Sequence, residues 1–516
     1  MDDCCGLSRR QLLRLSAAGA GAAAVAPWLL ATRAAAATAA GAGLSVQDLE
    51  LVTVTDDSFI LTWYTADGPP PAIPFAPAAE PAPVATDGLV RYGTDPSRLD
   101  RVAVQRGGAT AYHSVEVTGL RPGVTYYYQA VSEGVPAAPR LMPQLTFPAG
   151  GIVIPPDPTD AQLEGILAGL LSSGVILSAA PGKITTLVPP RGELLCTVAL
   201  SNDLHIGETV SGLATAAFPP GFSQVPGLPP YPVVMTGSMT ADAVTRGADV
   251  LLVAGDLTSA ALPDELTESR SLLDRHGRLA LAGPLRRGSY VVARGNHDQP
   301  KSGAAYAGCA PVGSTGLFDC LPAVYDLPQG RLTTTELHGL RLVGLDTTTL
   351  NTPSGAIDDD QFATLQHVLR RDPRQPTLVF GHHPVTDMSA NTTVAGPSFD
   401  LDRADAARLE ALYARTPGVF FHHSGHTHRN LRTSSPAAPA VEFLEVAATK
   451  EYPGGFARLR VYAGGYMVSF FKSSSALARQ WSQTSCGEHL GLYPAYTLGT
   501  TADRNHVVAR DFRALR

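Results

Sequence analysis

Arg294-Gly295-Asn296-His297-Asp298 follows the strand-like run Ser289-Tyr290-Val291-Val292-Ala293, and this junction decides how the chain is read. A β-branched apolar strand that ends in Gly-Asn-His-Asp sets an amide oxygen and an imidazole at the mouth of a sheet. In open α/β sheets, ligands bind there, outside the carboxyl ends of the strands. Four other segments have the same form. Residues 197–202 run into Asp203-Leu204-His205, and Val250–Ala254 runs into Gly255-Asp256. Residues 377–381 run into His382-His383-Pro384, and Val419–Ser424 runs into Gly425-His426-Thr427-His428.

The tips supply carboxylates from Asp203 and Asp256, an amide oxygen from Asn296, and imidazoles from His205, His382, His426 and His428. Mixed nitrogen and oxygen donors without thiolate suit first-row metals such as Mn, Fe or Zn. Asp-x-His and His-x-His place alternate side chains of an extended segment on one side, so that both can converge on a metal. Seven candidates exceed one tetrahedral site, so two metal ions are expected, divalent or of mixed valence. One carboxylate must then bridge, and Asp256, alone on its strand tip, is the candidate. Two such ions roughly 3.5–4 Å apart clamp the attacking and leaving oxygens of a phosphoryl group and acidify a bridging water. His297, beside Asn296, is left free to protonate the leaving oxygen, with Asp298 orienting its imidazole.

At 516 residues the chain is too long for one compact core. It is 44% hydrophobic and 16% charged, with a formal charge of −7. That balance offers no basic field for a nucleic-acid scaffold or an anionic membrane. Ser8-Arg9-Arg10-Gln11-Leu12-Leu13-Arg14, followed by a weakly apolar Ala/Gly stretch and Ala-rich sequence from Ala31 to Ala40, reads as a twin-arginine export signal over residues 1–40. The twin-arginine translocase is then an expected partner, and the destination is extracytoplasmic: secreted or associated with the cell wall. No later run approaches the roughly 20 apolar residues of a membrane span, so no stable membrane anchor is expected. Cys196, Cys309, Cys320 and Cys486 follow the signal, and Cys309 with Cys320, bracketing a Gly/Pro-containing loop, is the expected disulfide pair.

Residues 44–148 read as a small all-β domain. Phe59-Ile60-Leu61-Thr62-Trp63-Tyr64 alternates like a sandwich strand, and Leu120-Arg121-Pro122-Gly123-Val124-Thr125-Tyr126 is a turn feeding an aromatic strand. The Pro/Ala stretch from Gly68 to Pro83 is a long loop inside that domain. Residues 149–193 form a connector with helical spacing over 160–177. From Leu194, strands alternate with helical patterns at 264–276, 358–371 and 402–415, which argues an α/β domain over 194–472. Residues 207–246 and 299–322 read as insertions over the site, the first Pro/Gly-rich with weak periodicity. A terminal hairpin is expected over 455–472, and the C-terminal extension 473–516 carries little signal.

Asp-x-His, Gly-Asp, Gly-Asn-His-Asp, strand-borne Gly-His-His-Pro and Gly-His-Thr-His, in that order, resemble the calcineurin-like metallophosphoesterase superfamily over about 194–472. The resemblance implies a four-layer α/β/β/α sandwich built on two mixed sheets. It implies a first metal on Asp203, His205 and His428, a second on Asn296, His382 and His426, Asp256 as the bridge, and His297 as catalytic histidine. The Leu-x-Pro-Gly-x-x-Tyr pattern ahead of it resembles a fibronectin type III corner, where a Tyr hydroxyl ties strand to turn. The same domain order occurs in purple acid phosphatase-like proteins, and the signal with long insertions resembles exported actinobacterial metallophosphoesterases. Purple acid phosphatases carry a metal-binding Tyr three residues after the bridging Asp, where this chain has Ser259, and they lack a His at position 205. The interval from His205 to Asp256 is also longer than is usual in the superfamily.

The expected activity is hydrolysis of a phosphate mono- or diester, of small-molecule or polymer type. A metallo-β-lactamase-like reading fails, because Arg429-Asn430-Leu431 follow His428 where that pattern needs Asp-His. The rival from another class is a secreted adhesive protein on an inactive phosphoesterase fold. It predicts loss of a ligand or of His297, and all are present.

Overall fold

The computed structural model describes residues 43–68, 81–155, 157–213, 218–513 and 515. The export signal and most of the Gly68–Pro83 loop lie outside the described residues.

Strands before residue 186 include a four-stranded and a five-stranded antiparallel sheet over one core that holds Phe59, Trp63, Tyr126 and Tyr128. The Tyr126 hydroxyl accepts a hydrogen bond from the Arg121 backbone N–H (3.1 Å), closing the corner that the Leu-x-Pro-Gly turn announces. The connector contributes to this unit, since Lys183–Thr185 pairs with Thr125–Ser132. Its predicted helix is shorter than the spacing suggests. Asp160–Gly169 is helical, but Leu171–Ser178 is a strand paired with Leu141–Leu145. Gly169 weakens continuation, and the Val175-Ile176 pair favours the extended form.

The second unit is built on two seven-stranded sheets. The first contains β1 (Leu194–Ser201), β2 (Val250–Ala254), β3 (Arg278–Leu279), β5 (Ser289–Ala293), β12 (Gly455–Tyr462), β13 (Gly465–Lys472) and β14 (Asn505–Ala509), in the order β3-β5-β2-β1-β12-β13-β14. The second contains β4 (Ala282–Pro284), β6 (Thr333–Leu337), β7 (Leu340–Gly344), β8 (Thr377–Phe380), β9 (Val419–Ser424), β10 (Leu431–Ser434) and β11 (Glu442–Glu445), in the order β4-β6-β7-β8-β9-β11-β10. Their facing apolar sides, including Val198, Leu252, Val291, Phe380, Phe421 and Val468, make the central core. A second core lies between the first sheet and α1 (Tyr231–Thr245) and α2 (Pro263–Leu273). A third lies between the second sheet and α3 (Asp359–Arg371) and α4 (Arg403–Ala414). The result is the expected α/β/β/α stack. α3 shows how local sequence sets an element: the Asp358 side chain caps Gln361 N, Asp359 and Asp360 open the helix, and Arg370 and Arg371 close it. Its apolar stripe of Phe362, Leu365 and Leu369 is buried.

Two expectations change. Residues 207–246 are not wholly an irregular insertion, because α1 forms the crossover between the parallel strands β1 and β2. It shows little periodicity because it is buried on most sides, through Tyr231, Met235, Thr236, Ser238, Met239, Thr240 and Ala243. A helix whose buried side mixes Thr and Ser with Met has no clean apolar stripe to read. The long interval between His205 and Asp256 is thereby accounted for. The C-terminal segment is also structural, since α5 (Ala476–Ser485) packs on α1 and β14 extends the first sheet beyond β13. The 455–472 hairpin is therefore internal to the sheet.

The two units meet at Glu50, which is buried and accepts from Arg140 Nε (2.7 Å), the Tyr452 hydroxyl (2.7 Å) and Lys472 Nζ (2.6 Å). Burial alone would raise this carboxyl, but Lys472 and Arg140 hold it down, at about 2 against an ordinary 4.5. A depressed carboxylate contributes stability above its unfolded pKa and loses it as pH falls through the folded one. Glu50 should therefore contribute on the order of 3 kcal/mol near neutrality, lost between about pH 4.5 and pH 2. In urea unfolding between pH 6 and pH 3, Glu50→Gln should lower stability at pH 6 and flatten the acid dependence. An unaltered acid limb would contradict this.

Cys309 and Cys320 form the expected disulfide, while Cys196 and Cys486 are buried outside any disulfide. Among the described residues, no helix is long and apolar enough to cross a membrane.

Candidate metal centre

All five motif tips leave the carboxyl ends of parallel strands. In the first sheet, Ser201 pairs with Val253, and Ala254 with Ala293, so the loops after β1, β2 and β5 start level. In the second, Phe380 pairs with His423, aligning the loops after β8 and β9. The tips then bond to one another. Asp203 N donates to Gly255 O (3.1 Å), His205 N to Asp256 O (3.0 Å), and Gly425 N to His382 O (3.0 Å). Glycine is needed where loops crowd. A Cβ on Gly255, whose φ is +88°, would lie 2.7 Å from His382 Nδ1, and one on Gly295 would lie 2.1 Å from Asp256 N.

Asp203, His205, Asp256, His426 and His428 all have left-handed backbone, with φ between 46° and 69°. Such conformations cost of order 1–3 kcal/mol each in non-glycine residues and persist where surrounding structure over-determines them. The strain falls on five of the seven residues that the motifs single out.

Among the described residues, three groups have donor atoms within 4.8 Å of one another, and two of them share no residue: Asp203 with His205 and His428, and Asp256 with His382 and His426. Asp203 Oδ2 accepts from His426 N (3.0 Å) and Asn202 Nδ2 (2.5 Å). Its Oδ1 has no hydrogen-bond partner among the described residues and lies 3.4 Å from His428 Nε2 and 3.8 Å from His205 Nε2. Asp256 Oδ1 accepts from His297 N (2.8 Å), while Oδ2 lies 3.3 Å from His205 Nε2 and 3.2 Å from His382 Nε2. Asp256 thus faces one imidazole from each group.

The outer nitrogens of the histidines settle their tautomers. His382 Nδ1 donates to Ala254 O (2.9 Å), His426 Nε2 to Phe399 O (2.8 Å) and His428 Nδ1 to Glu451 Oε1 (2.6 Å). His205 Nδ1 lies 3.1 Å from Glu208 Oε2. Carbonyls and carboxylates only accept, so the inner nitrogens of His382, His426 and His428 present lone pairs when the rings are neutral, while neither ring nitrogen of His205 makes a hydrogen bond among the described residues. His382 Nε2 consequently faces Asn296 Oδ1 (2.9 Å) and His426 Nδ1 (3.0 Å) with acceptors on every side. A cation satisfies all these lone pairs together, and carbonyl or carboxylate partners behind ligating histidines are the usual support of a metal site. The donor set therefore fits two metal ions.

Electrostatics agree with this arrangement. Burial alone would raise Asp203 and Asp256, yet the facing histidines, His428 for Asp203 and His382 for Asp256, hold both well below the carboxylate range. Burial would lower His428, but Asp203 and Glu451 raise it to about 9. His426, buried and beside His383 and His382, is pushed well down. Burial also lowers His297, against the pull of the Asp256 carboxylate.

His297 is partly buried, with its ring 4.5 Å from that of His205. Its Nδ1 donates to Ser259 O (2.7 Å), leaving Nε2 as the atom that carries or takes a proton. Geometry also groups His297 with His205 and Asp256 as a possible ligand set. The expected role of Asp298 does not hold. Its carboxylate accepts from Leu257 N (2.9 Å), Thr258 N (2.9 Å), Thr258 Oγ1 (2.8 Å) and Gly295 N (3.1 Å), and Ser259 instead orients His297. Residues 296–298 form a single 3₁₀ turn, which sends adjacent side chains in different directions. Asp298 ties the β2 and β5 loops together.

Other histidines near the motifs are buried and engaged. His383 bonds Thr347 Oγ1 (2.7 Å) and Pro353 O (2.9 Å), His422 bonds the Tyr413 hydroxyl (2.9 Å), and His423 contacts Ser201 O (3.2 Å). Residues that the motifs do not announce hold the site from behind: Glu208, Glu451, Lys450 and Arg294. Arg294, fully buried, donates to Asp298 O (2.8 Å) and to both oxygens of Asp319 (3.0 and 2.8 Å), fixing the back of the Asn296-His297 turn.

Residues 198–430 match the calcineurin-like phosphoesterase family, and the unit that carries the site has the metallophosphoesterase fold. A purple acid phosphatase from yellow lupin (Lupinus luteus) seeds is similar at 14% identity, covering 83% of this chain and 72% of that chain, with a TM-score of 0.36. A dimetal phosphatase from Danio rerio is similar at 13% identity, covering 54% of this chain and 96% of that chain, with a TM-score of 0.39. No curated protein matches the chain.

Proposed function

We propose that the chain is an exported dinuclear-metal phosphoesterase that hydrolyses phosphate mono- or diesters. The observation that carries this reading is the position of Asp256 Oδ2, 3.3 Å from His205 Nε2 in one donor group and 3.2 Å from His382 Nε2 in the other. Asp203, His205 and His428 would hold one ion, Asn296, His382 and His426 the second, and Asp256 both. Bound Mn, Fe or Zn supplies positive charge for the phosphoryl oxygens and acidifies a water for attack. The chain's own residues do the rest. Asp203 and Asp256 concentrate negative charge where cations bind, Glu208, Glu451, Ala254 O and Phe399 O lock the imidazoles, and His297 Nε2 delivers a proton to the leaving oxygen. Phosphate release from aryl phosphate and bis-aryl phosphate, before and after chelation, tests this. No metal-dependent release from either would overturn it.

Export is supported by Ser8–Arg14 with the Ala-rich stretch behind it, and by the Cys309–Cys320 disulfide, which suits an oxidising compartment. Replacing Arg9 and Arg10 together by lysine should retain the protein in the cytoplasm. Undiminished export in cell fractionation would contradict the twin-arginine route.

Ser259 stands where purple acid phosphatases have a metal-binding tyrosine, and its carbonyl is occupied by His297. Tyr231 and Tyr493 reach the region as donors to Glu208 and Glu451. The iron-loaded protein should show no intense visible charge-transfer band. A strong purple absorption would show a tyrosinate at the metal.

A further inference from the structure

Behind the Asp203–His205–His428 group lies a closed ring of contacts that none of the motifs predicts. Glu208 uses Oε2 toward His205 Nδ1 (3.1 Å) and Oε1 toward Lys450 Nζ (2.5 Å). Glu451 mirrors it, with Oε1 accepting from His428 Nδ1 (2.6 Å) and Oε2 lying 3.1 Å from the same Lys450 Nζ. The Lys450 backbone N–H then donates to the Asp203 backbone carbonyl (3.2 Å), bringing the ring back to the residue whose carboxylate faces both histidines. Lys450 and Glu451 are buried, 4% and 1% exposed. The Lys450 carbonyl is pinned by Trp481 Nε1 (2.8 Å), the Ser211 hydroxyl donates to Glu451 Oε2 (2.5 Å), and the Tyr231 hydroxyl donates to Glu208 Oε1 (2.5 Å).

We propose that Lys450 is a positioning residue for one metal site, holding the two carboxylates that orient His205 and His428. The inference rests on the dinuclear reading above. Each carboxylate must spend one oxygen on its histidine and have the other fixed, or it is free to rotate away. One ammonium between the two fixes both and offsets their mutual repulsion in a buried setting. Glu451 holds the proton on the outer nitrogen of His428, and the Glu208 carboxylate stands 3.1 Å from the outer nitrogen of His205, so each ring turns its inner nitrogen toward Asp203. The group behind His382 and His426 has no part in this ring, because those imidazoles lean on the carbonyls of Ala254 and Phe399. The effect of Lys450 should therefore fall on one site of the two.

Chelator-competition titration with Co²⁺, read by its visible absorption, tests this on the full chain. Lys450→Met should weaken one of the two Co²⁺ affinities by about 10–100-fold, the usual cost of losing support behind a ligand, and leave the other within about threefold. Lys472→Met is the control for a merely structural role, because it also breaks a buried pair, to Glu50, away from the donor groups. It should lower the thermal midpoint and change neither affinity. If Lys450→Met does not fold, Glu208→Gln keeps the size of a less buried member and removes its charge, and the same one-site loss is expected. In whichever variant folds, two unchanged affinities, or two that fall equally, overturn the proposal. Wild type that binds two ions beside an unaffected variant leaves the dinuclear reading intact and removes only the role of Lys450. Wild type that binds none overturns both.

Discussion

Replacing His297 by alanine should leave metal binding intact and lower kcat by roughly 10²–10⁴, the usual contribution of a positioned general acid or base. The two halves of this result have separate structural causes. The Asp256 contact of this residue is made by the His297 backbone N–H (2.8 Å), which alanine keeps, so the carboxylate between the donor groups stays in place. The imidazole hangs from Ser259 O through Nδ1, and what is lost is Nε2, which holds a proton to deliver when the ring is the imidazolium. The deficit should shrink as the leaving group becomes more acidic, because a good leaving group needs less protonation. Asn296→Ala, one residue away on the same turn, should instead lower occupancy of a single site. If His297→Ala loses metal as Asn296→Ala does, then His297 belongs with His205 and Asp256 as a ligand. If the rate loss is equal for good and poor leaving groups with chemistry rate-limiting, the imidazole stabilises phosphoryl charge rather than delivering a proton.

Asp256→Asn should have the widest effect, weakening both sites at once by at least about 10²-fold and abolishing turnover. That is the upper end of the cost of removing support from a metal site, and here a direct ligand of both is lost. The amide keeps an oxygen that could accept from His297 N. It loses the charge, and an NH₂ group in place of Oδ2 would face His205 and His382 at about 3 Å. The carboxylate also raises both imidazoles against the effect of burial, so its removal changes the donors as well as the bridge. Isothermal titration of the variant with Zn²⁺ checks this. One site weakened and one untouched would place Asp256 in a single coordination sphere.

The parts of this account that were legible in the sequence are those set by local pattern. A buried parallel strand is a short apolar run whose carboxyl end is marked by the Asp, Asn or His that follows, so the positions of the tips at Asp203, Asp256, Asn296, His382 and His426 could be read directly. Helix α3 announced itself through an Asp cap and a one-sided apolar stripe. Helix α1 did not, because Thr236, Ser238 and Thr240 are buried along with Met235 and Met239, so polar and apolar residues share its buried side. Adjacency misled at Asp298, where one 3₁₀ turn separates two neighbours that an extended chain would also have separated. Lys450 and Glu208 are 242 residues apart in the chain, and Glu451 is one residue further from Glu208 than Lys450 is. No local signal joins them, and only the packing of both sheets brings them behind one pair of histidines. The last strand, Asn505–Ala509, was missed for a related reason: it extends a sheet whose partner strand ends more than thirty residues earlier.

The central claim is that Asp256 serves two ions at once. Elemental analysis of purified wild-type protein, saturated with Mn, Fe or Zn and freed of loosely bound metal, tests it most directly. Two ions per chain are predicted, both lost in Asp256→Asn and one retained in Asn296→Ala. One ion per chain in the saturated wild type would contradict the dinuclear centre.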